Sequence, residues 1–263
     1  MPSAVTATIV TYMGYEKARE AIASLLKYTK RVPLKIYVVD NASGDGTAER
    51  LRADFGSITV IENSRNNGFG YGHNTVIPLL EDDASDYHLI VNPDILIEDD
   101  VVGELAGYLD SNSDVGIVTP KILNLDGTDQ SLPKRQPAVT ALIGRRIFRK
   151  TLKKQVEHYQ MKDCDLSEAT AIEFATGCFF MIRTKLFIDL AGFDTRFFLY
   201  YEDIDLSKRV KETMKVIYYP YAAVYHAWER SSAHKVKYFL ILVQGMFKYF
   251  GKWGWKIRYK LPK

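Results

Sequence analysis

Leu34-Lys35-Ile36-Tyr37-Val38-Val39-Asp40-Asn41-Ala42-Ser43-Gly44-Asp45-Gly46-Thr47 runs from an apolar stretch rich in β-branched residues into a cluster of Asn, Ser, Gly and Asp. The apolar run reads as a strand, the cluster as a turn, and the amphipathic Thr47–Asp54 that follows as a helix. The same unit repeats on either side: Ala4–Tyr12 then Glu16–Tyr28, Ile58–Glu62 then Tyr71–Leu80, His88–Asn92 then Asp99–Leu109, and finally Val115–Thr119. This alternation predicts an α/β fold, a mostly parallel sheet with helices on both faces. Ligands of such sheets bind beyond the carboxyl ends of the strands. Polar clusters stand at four of those ends: Thr11-Tyr12, Asp40 to Gly46, Asn66-Asn67-Gly68-Phe69-Gly70, and Asn92-Pro93-Asp94.

After Pro120 the pattern changes. Asn124-Leu125-Asp126-Gly127-Thr128 reads as a tight turn between short strands, and residues 133–168 are polar and basic with no clear period. Order returns at Ile172–Ile182, an apolar run interrupted by Thr176-Gly177, and a further strand is expected at Val216–Tyr219. The chain has 263 residues, 47% hydrophobic and 25% charged, enough for a sizeable core and unlike a disordered segment. Two cysteines, Cys164 and Cys178, are too few for a disulfide framework and suit a reducing cytosol. No leader peptide and no membrane-spanning run are expected, because the best apolar stretch, Tyr238 to Phe247, is broken by Gln244 and Gly245. Residues 228–263 hold nine Lys/Arg against Glu229 alone, in a chain whose total charge is +3, so a basic tail follows an acidic body. A second basic cluster comprises Arg145, Arg146, Arg149, Lys150, Lys153 and Lys154.

Four groups of residues suggest chemistry. Asp40 ends a strand and could accept a hydrogen bond from a nucleobase or ribose, or else cap the helix that begins near Thr47. Gly68-Phe69-Gly70-Tyr71-Gly72 allows close backbone approach to a ligand, but it is neither a phosphate-binding P-loop nor a GxGxxG dinucleotide turn. Asn92 and Asp94 lie two residues apart on one side of an extended chain, which suits a hard divalent cation or an ordinary turn. Tyr200-Tyr201-Glu202-Asp203-Ile204-Asp205-Leu206 packs three carboxylates behind the apolar Phe197-Phe198-Leu199. Desolvation and mutual repulsion there would raise carboxyl pKa values, a mark of a general base, although acidic residues also favour the first turn of a helix. His226 lies 23 residues beyond Asp203, just past the strand expected to end near Tyr219.

Taken in order and spacing, Ile9-Val10-Thr11-Tyr12, Val38 to Thr47, Asn67-Gly68-Phe69-Gly70, Asn74, Val91-Asn92-Pro93-Asp94, Ala175-Thr176-Gly177-Cys178, Phe197 to Leu206 and His226 resemble the family 2 inverting glycosyltransferases, above all their rhamnosyltransferase-like branch. The resemblance implies a GT-A fold, a nucleotide-diphosphate sugar donor and Mg²⁺ or Mn²⁺. It divides the chain into a catalytic domain at 1–227, with a nucleotide-sugar half at 1–120 and an acceptor half at 121–227, and a basic, aromatic, amphipathic helical tail at 228–263. Carried over by position, Thr11, Tyr12, Asp40, Gly68, Phe69, Asn74 and Asn92 belong to the donor site. Asp94 matches the metal-ligating acid of the family's Asp-x-Asp motif, whose first acid is here Asn92, and His226 completes the metal site. Asp203 corresponds to the catalytic base, Glu202 to an acceptor-orienting neighbour, Thr176 and Gly177 to the acceptor wall, and Asp205 to a helix residue.

The implied donor is deoxythymidine-diphosphate-rhamnose, with UDP-hexose or UDP-galactofuranose as alternatives. The implied acceptor is a polyprenyl-diphosphate-linked saccharide of a cell-surface polysaccharide. The basic, aromatic tail then suits the anionic cytoplasmic face of a membrane, the alternative being a helix packed on the catalytic domain with its lysines in water. Nucleic acid is not an expected partner, and a homo-oligomer stays open. Two rivals are a catalytically silent saccharide-binding module, which would not need Asp94, Asp203 and His226 together, and a nucleotidyltransferase, which would need a basic glycine-rich loop where Thr11-Tyr12-Met13-Gly14 stands.

Overall fold

The computed structural model describes residues 3–148, 150–227 and 236–261. The described elements are β1 (Val5–Thr11), α1 (Tyr15–Tyr28), β2 (Leu34–Asp40), α2 (Thr47–Asp54), β3 (Thr59–Glu62), α3 (Phe69–Asn74), α4 (Ile77–Asp82), β4 (Tyr87–Val91), β5 (Ile95–Leu96) and α5 (Val101–Ser111). They continue as β6 (Val115–Leu123), α6 (Val139–Arg146), α7 (Lys153–Tyr159), β7 (Thr170–Ala171), β8 (Phe179–Arg183), α8 (Thr184–Asp189), α9 (Glu202–Val210), β9 (Lys215–His226) and α10 (Val236–Trp253).

Among these, one sheet runs in the order β3-β2-β1-β4-β8-β6-β9-β5, with β7 paired to β9. The β3-β2-β1-β4 block is parallel. β8 enters antiparallel between β4 and β6, so the two halves of the chain share a single sheet. Side-chain alternation sorts the strands between two cores. Val5, Ala7, Ile9, Ile36 and Val38 face α1 and α5, while Val10, Tyr37 and Val39 face Val76, Leu80, Phe187, Leu206 and Val210 on the other side. Burial on both faces explains why these strands read as nearly continuous apolar runs.

Three expected elements change in detail. The single helix expected over Tyr71–Leu80 is two, because Pro78 lies in the first turn of α4 and cannot donate to a continuing ladder. The strand expected to end at Thr119 continues to Leu123 through an irregular register at Pro120/Lys121. The strand expected to end near Tyr219 runs on to His226, which is therefore its last residue and pairs with Ile95.

The uncharted stretch at 133–168 supplies α6 and α7, which close a third core with the C-terminus through Ala138, Ala141, Tyr159, Phe197, Tyr201, Ile204, Tyr249, Phe250 and Tyr259. α10 thus packs on the catalytic half. Its lysines are not all in water: Lys252 binds Asp194 at 2.7 Å and Asp205 at 2.6 Å, and Lys248 donates to the Arg196 carbonyl at 2.7 Å. None of the described helices is long and apolar enough to cross a membrane. Arg149, Glu229, Arg230, Lys235 and Lys263 lie outside the described residues.

Candidate active site

The carboxyl edge of the parallel block gathers the residues assigned to the donor. Thr11 and Asp40 are register partners on β1 and β2, and the Asn41 amide donates to the Thr11 carbonyl at 2.9 Å. The Thr11 Oγ1 is buried with no hydrogen-bond partner, while Tyr12 beside it is 54% exposed. Asp40 does not cap α2. Its carboxylate accepts from the Ser43 amide at 2.9 Å and from the Ser43 hydroxyl, closing its own turn, and Asp45 serves Thr47 instead, at 3.0 Å from its amide. The turn side chain that sets up the helix start is thus five residues later than the strand end suggested.

The glycine at 68 has a different partner from the one its sequence suggests. With φ at +97°, a Cβ there would lie 2.1 Å from the Phe198 carbonyl oxygen. The next amide, of Phe69, donates to that oxygen at 2.9 Å. The close backbone approach is therefore to the segment leading into Asp203. Asn74 is likewise engaged internally: its amide donates to the Phe193 carbonyl and accepts from the Phe193 amide, both at 2.8 Å. It fastens α3 to the loop before α9. Phe69 packs against His73 and Phe193, at 4.4 and 5.6 Å between ring centroids, and its ring edge lies beside Gly177.

Asp203 stands in the first turn of α9 and is half-buried. Oδ2 accepts from the Gly177 amide at 3.0 Å, and Oδ1 from the Ile204 amide at 2.8 Å. Burial pushes its carboxyl up, while the two amides and the Lys134 ammonium pull it back. Glu202 behaves otherwise. It is 4% exposed, its Oε2 has no hydrogen-bond partner, and burial followed by repulsion from Asp203 drives its carboxyl well up. Glu202, expected to orient an acceptor, is placed by the first turn of α9 in a buried position beside Asp203. Asp205, fully buried, accepts from Trp253 Nε1 at 2.8 Å and pairs with Arg209 at 2.9 Å, the structural role expected of it. Thr176, expected at the acceptor wall, is half-buried. Its hydroxyl is buried without a partner, and the residue lines a cavity of about 10 Å³ with Thr119, Phe174 and Tyr218.

Asp94 and His226 come together across β5 and β9, Oδ1 to Nε2 at 3.3 Å. Gln130 decides how the imidazole is oriented. Its Nε2 donates to the His226 carbonyl at 2.9 Å and to the Leu123 carbonyl at 3.3 Å, which leaves Oε1 facing His226 Nδ1 at 3.2 Å. Nδ1 therefore carries the hydrogen in the neutral ring, and the Nε2 lone pair faces a carboxylate. Two electron-pair donors that face each other are reconciled by a proton or a cation. Hard oxygen plus imidazole, oriented by a second-layer amide, is a donor set that fits Mg²⁺ or Mn²⁺ with its other positions open. Among the described residues no three His, Cys, Asp or Glu side chains form a closed metal cluster, so such an ion would draw on its ligand's oxygens. Asn92, the departure from Asp-x-Asp, is half-buried, and its backbone N–H donates to the Cys178 carbonyl at 2.8 Å.

Cys178 stands within the electrostatic reach of both Asp94 and Asp203. Burial first, then those two carboxylates, pushes its thiol up to about 12, which makes it inert. Lys134, which the sequence reading missed, also interacts with Asp203 and Cys178. It is only 9% exposed, and its ammonium donates to the Leu132 carbonyl at 3.3 Å. Burial, then the Arg145 charge, brings it down to about 8. Its one sequence signal is a lysine set beside Pro133, in a stretch with no period to place it. Gln130 had no signal at all.

Residues 6–191 match Glycosyl transferase family 2. The chain belongs to this family. As a family 2 glycosyltransferase it is 26% identical to an N-acetylglucosaminyl-diphospho-decaprenol L-rhamnosyltransferase of Mycobacterium tuberculosis, over 86% of this chain and 76% of the relative. It is 25% identical to the low-salt glycan biosynthesis hexosyltransferase Agl10 of Haloferax volcanii, over 74% of this chain and 59% of that one. Solved structures share the fold. GalNAc-T7 with UDP, GalNAc and Mn²⁺ superposes with a TM-score of 0.65 at 14% identity, covering 86% of this chain and 43% of that chain. The mannosyltransferase PcManGT of Pyrobaculum calidifontis, in complex with GDP-Man and Mn²⁺, superposes at 0.64 with 19% identity, covering 96% and 64%. The family 2 glycosyltransferase has the GT-A fold that the resemblance implied, although it spans less than two thirds of either solved neighbour.

Proposed function

We propose that the chain transfers rhamnose from deoxythymidine-diphosphate-rhamnose, with inversion, to a polyprenyl-diphosphate-linked saccharide at a membrane surface. The observation that carries the chemistry is a half-buried carboxylate, Asp203, held by the Gly177 and Ile204 amides in one electrostatic neighbourhood with Cys178 and Asp94. In an inverting transfer the acceptor hydroxyl oxygen bonds to the anomeric carbon as the bond to the diphosphate oxygen breaks, and the hydroxyl proton must leave. Asp203 takes that proton on a carboxylate oxygen. Glu202 beside it is buried, and burial and the Asp203 charge both push its carboxyl up.

Asp94 and His226 would hold a divalent cation, which supplies charge stabilisation to the departing diphosphate when bound. Tyr12, Asp40 and Thr11 would line the nucleotide, with the buried Thr11 hydroxyl as an unused polar group at the strand end. The sugar and the lipid-linked acceptor are supported by the mycobacterial relative's name; the Haloferax relative's name supports transfer of a hexose without saying which.

The test is Asp203→Asn, assayed with a panel of nucleotide sugars and with donor binding measured separately. Turnover should fall by about 10²–10⁴-fold, the usual contribution of a positioned base, with donor affinity kept. Near-normal turnover would remove Asp203 from the role, and a donor other than rhamnose in the wild-type panel would replace the sugar assignment.

A further inference from the structure

Two segments far apart in sequence meet on the outside of the catalytic half. The amides of Val139 and Thr140, at the start of α6, donate to the Lys256 and Ile257 carbonyls, each at 2.9 Å. Gln155 of α7 holds Tyr259 by accepting from its amide at 2.8 Å and donating to its carbonyl at 3.1 Å. The seam between them is closed and apolar, with Ala138, Ala141, Tyr159 and Tyr259 buried in one core. Just beyond the seam, apolar side chains stand in solvent on both segments. Ile147 is 73% exposed and Phe148 54%, against 56% for Phe247, 51% for Trp255 and 57% for Ile257.

The aromatic members are held in place. Trp255 stacks on the buried Phe250 at 5.1 Å and meets Phe247 edge-on at 5.6 Å. Ile143 and Ile147 follow Thr140 at helical spacing, so an apolar stripe leads away from the point where Thr140 meets Ile257. Exposed cations are interleaved with these groups: Lys150 and Lys154 on one segment, beside Lys153, which pairs with Glu157 at 3.8 Å, and Lys256, Arg258 and Lys260 on the other. Neither 139–154 nor 236–261 contains a single Asp or Glu. Exposed apolar groups of this number, framed by one sign of charge, mark a binding surface. The lysines of α10 itself contribute less, since Lys248 and Lys252 are bound to Arg196, Asp194 and Asp205.

We propose that α6 with the turn after it, and the end of α10 with the chain that follows, form one composite docking face for an anionic lipid bilayer. Ile147, Phe148, Phe247, Trp255 and Ile257 enter the boundary between headgroups and acyl chains, and the interleaved Lys and Arg side chains lie among the lipid phosphates. Trp suits that depth because its ring is apolar and its N–H polar. The bilayer is the favoured occupant because the apolar groups protrude among cations with no acid between them, which complements a flat, anionic, greasy surface. This deepens the membrane part of the proposed function and is independent of the role of Asp203.

The experiment is flotation of the whole chain with vesicles of phosphatidylglycerol and phosphatidylcholine, and with phosphatidylcholine alone. The wild type should float with the anionic vesicles, less so as salt rises, and remain behind with the neutral ones. Ile147→Glu/Phe148→Glu and Trp255→Glu/Ile257→Glu should each cut flotation by about tenfold or more; thermal unfolding should stay unchanged in the first pair, whose side chains are mostly in solvent, and Ile257→Glu alone serves as the control for lost Trp255 stacking on Phe250. Normal flotation of the α6 double variant would overturn the composite face. So would a wild type that ignores anionic vesicles, or one whose dimerisation in solution is lost in the same variants. Transfer to a short-chain, water-soluble acceptor should survive in both variants; its absence from the wild type would count against the transferase reading and leave the flotation result standing.

Discussion

Asp203 keeps a carboxylate available because three neighbours offset the cost of burying it: the Gly177 amide, the Ile204 amide and the Lys134 ammonium. Lys134 is itself poorly solvated and comes down to about 8, so it is cationic below that pH. The sign of its effect follows. A cation near a buried acid lowers the acid's pKa, and removing it lets the pKa rise. Lys134→Met should therefore move the acid limb of the kcat/KM profile to higher pH. Lys134→Arg should restore much of the shift, and donor affinity should stay unchanged in both. A loss of donor binding with an unmoved acid limb would mean that Lys134 holds the donor and leaves Asp203 alone. The three clustered carboxylates were legible in the sequence as unusual, but their roles were not: Glu202 and Asp203 are adjacent letters, and only the turn of α9 sends one into the core and leaves the other at the crevice.

At the scale of elements, the segment before α9 is held under strain. Tyr200 and Tyr201 both adopt the left-handed region, with φ of 71° and 72°, at a cost of the order of 1–3 kcal/mol each. Contacts from elsewhere hold it there. The Phe69 amide binds the Phe198 carbonyl, and a Cβ on Gly245 of α10 would already lie 2.9 Å from the Tyr201 ring. Gly68→Ala should therefore damage activity more than its size implies, because its Cβ collides with the Phe198 backbone and its φ is unfavourable. A stability loss of about 1–3 kcal/mol is expected from denaturant unfolding, together with a fall in kcat. Gly245→Val should push α10 off the tyrosines, reducing kcat with little change in donor KM. Equal wild-type kcat in Gly245→Val would show that α10 does not brace the base. Glycine-rich loops were easy to see in the sequence, but what each glycine approaches is settled by packing, which sequence spacing does not encode.

For the molecule as a whole, the donor set at Asp94 and His226 makes a prediction about stability. A nucleotide diphosphate with Mn²⁺ should raise the unfolding temperature well above either alone, with a ligand at 100 times its Kd adding ~2.7 kcal/mol. Asp94→Ala and His226→Ala should each abolish the metal-dependent part of that rise, and chelation should abolish transfer. A full rise in Asp94→Ala, or transfer in the presence of chelator, would remove the metal from this site. The sequence by itself determined the α/β alternation, the strand ends that carry polar residues and the order of the family's motifs, because local period, turn chemistry and motif spacing are properties of neighbouring residues. Only the tertiary structure decided that β8 threads between β4 and β6, that Gln130 orients His226 across 96 residues, that Lys134 stands by Asp203, and that α6 meets the C-terminal segment. Those pairings join residues far apart in the chain, and what selects them is the burial of shared apolar surface and the satisfaction of buried polar groups, both of which exist only once the chain is folded.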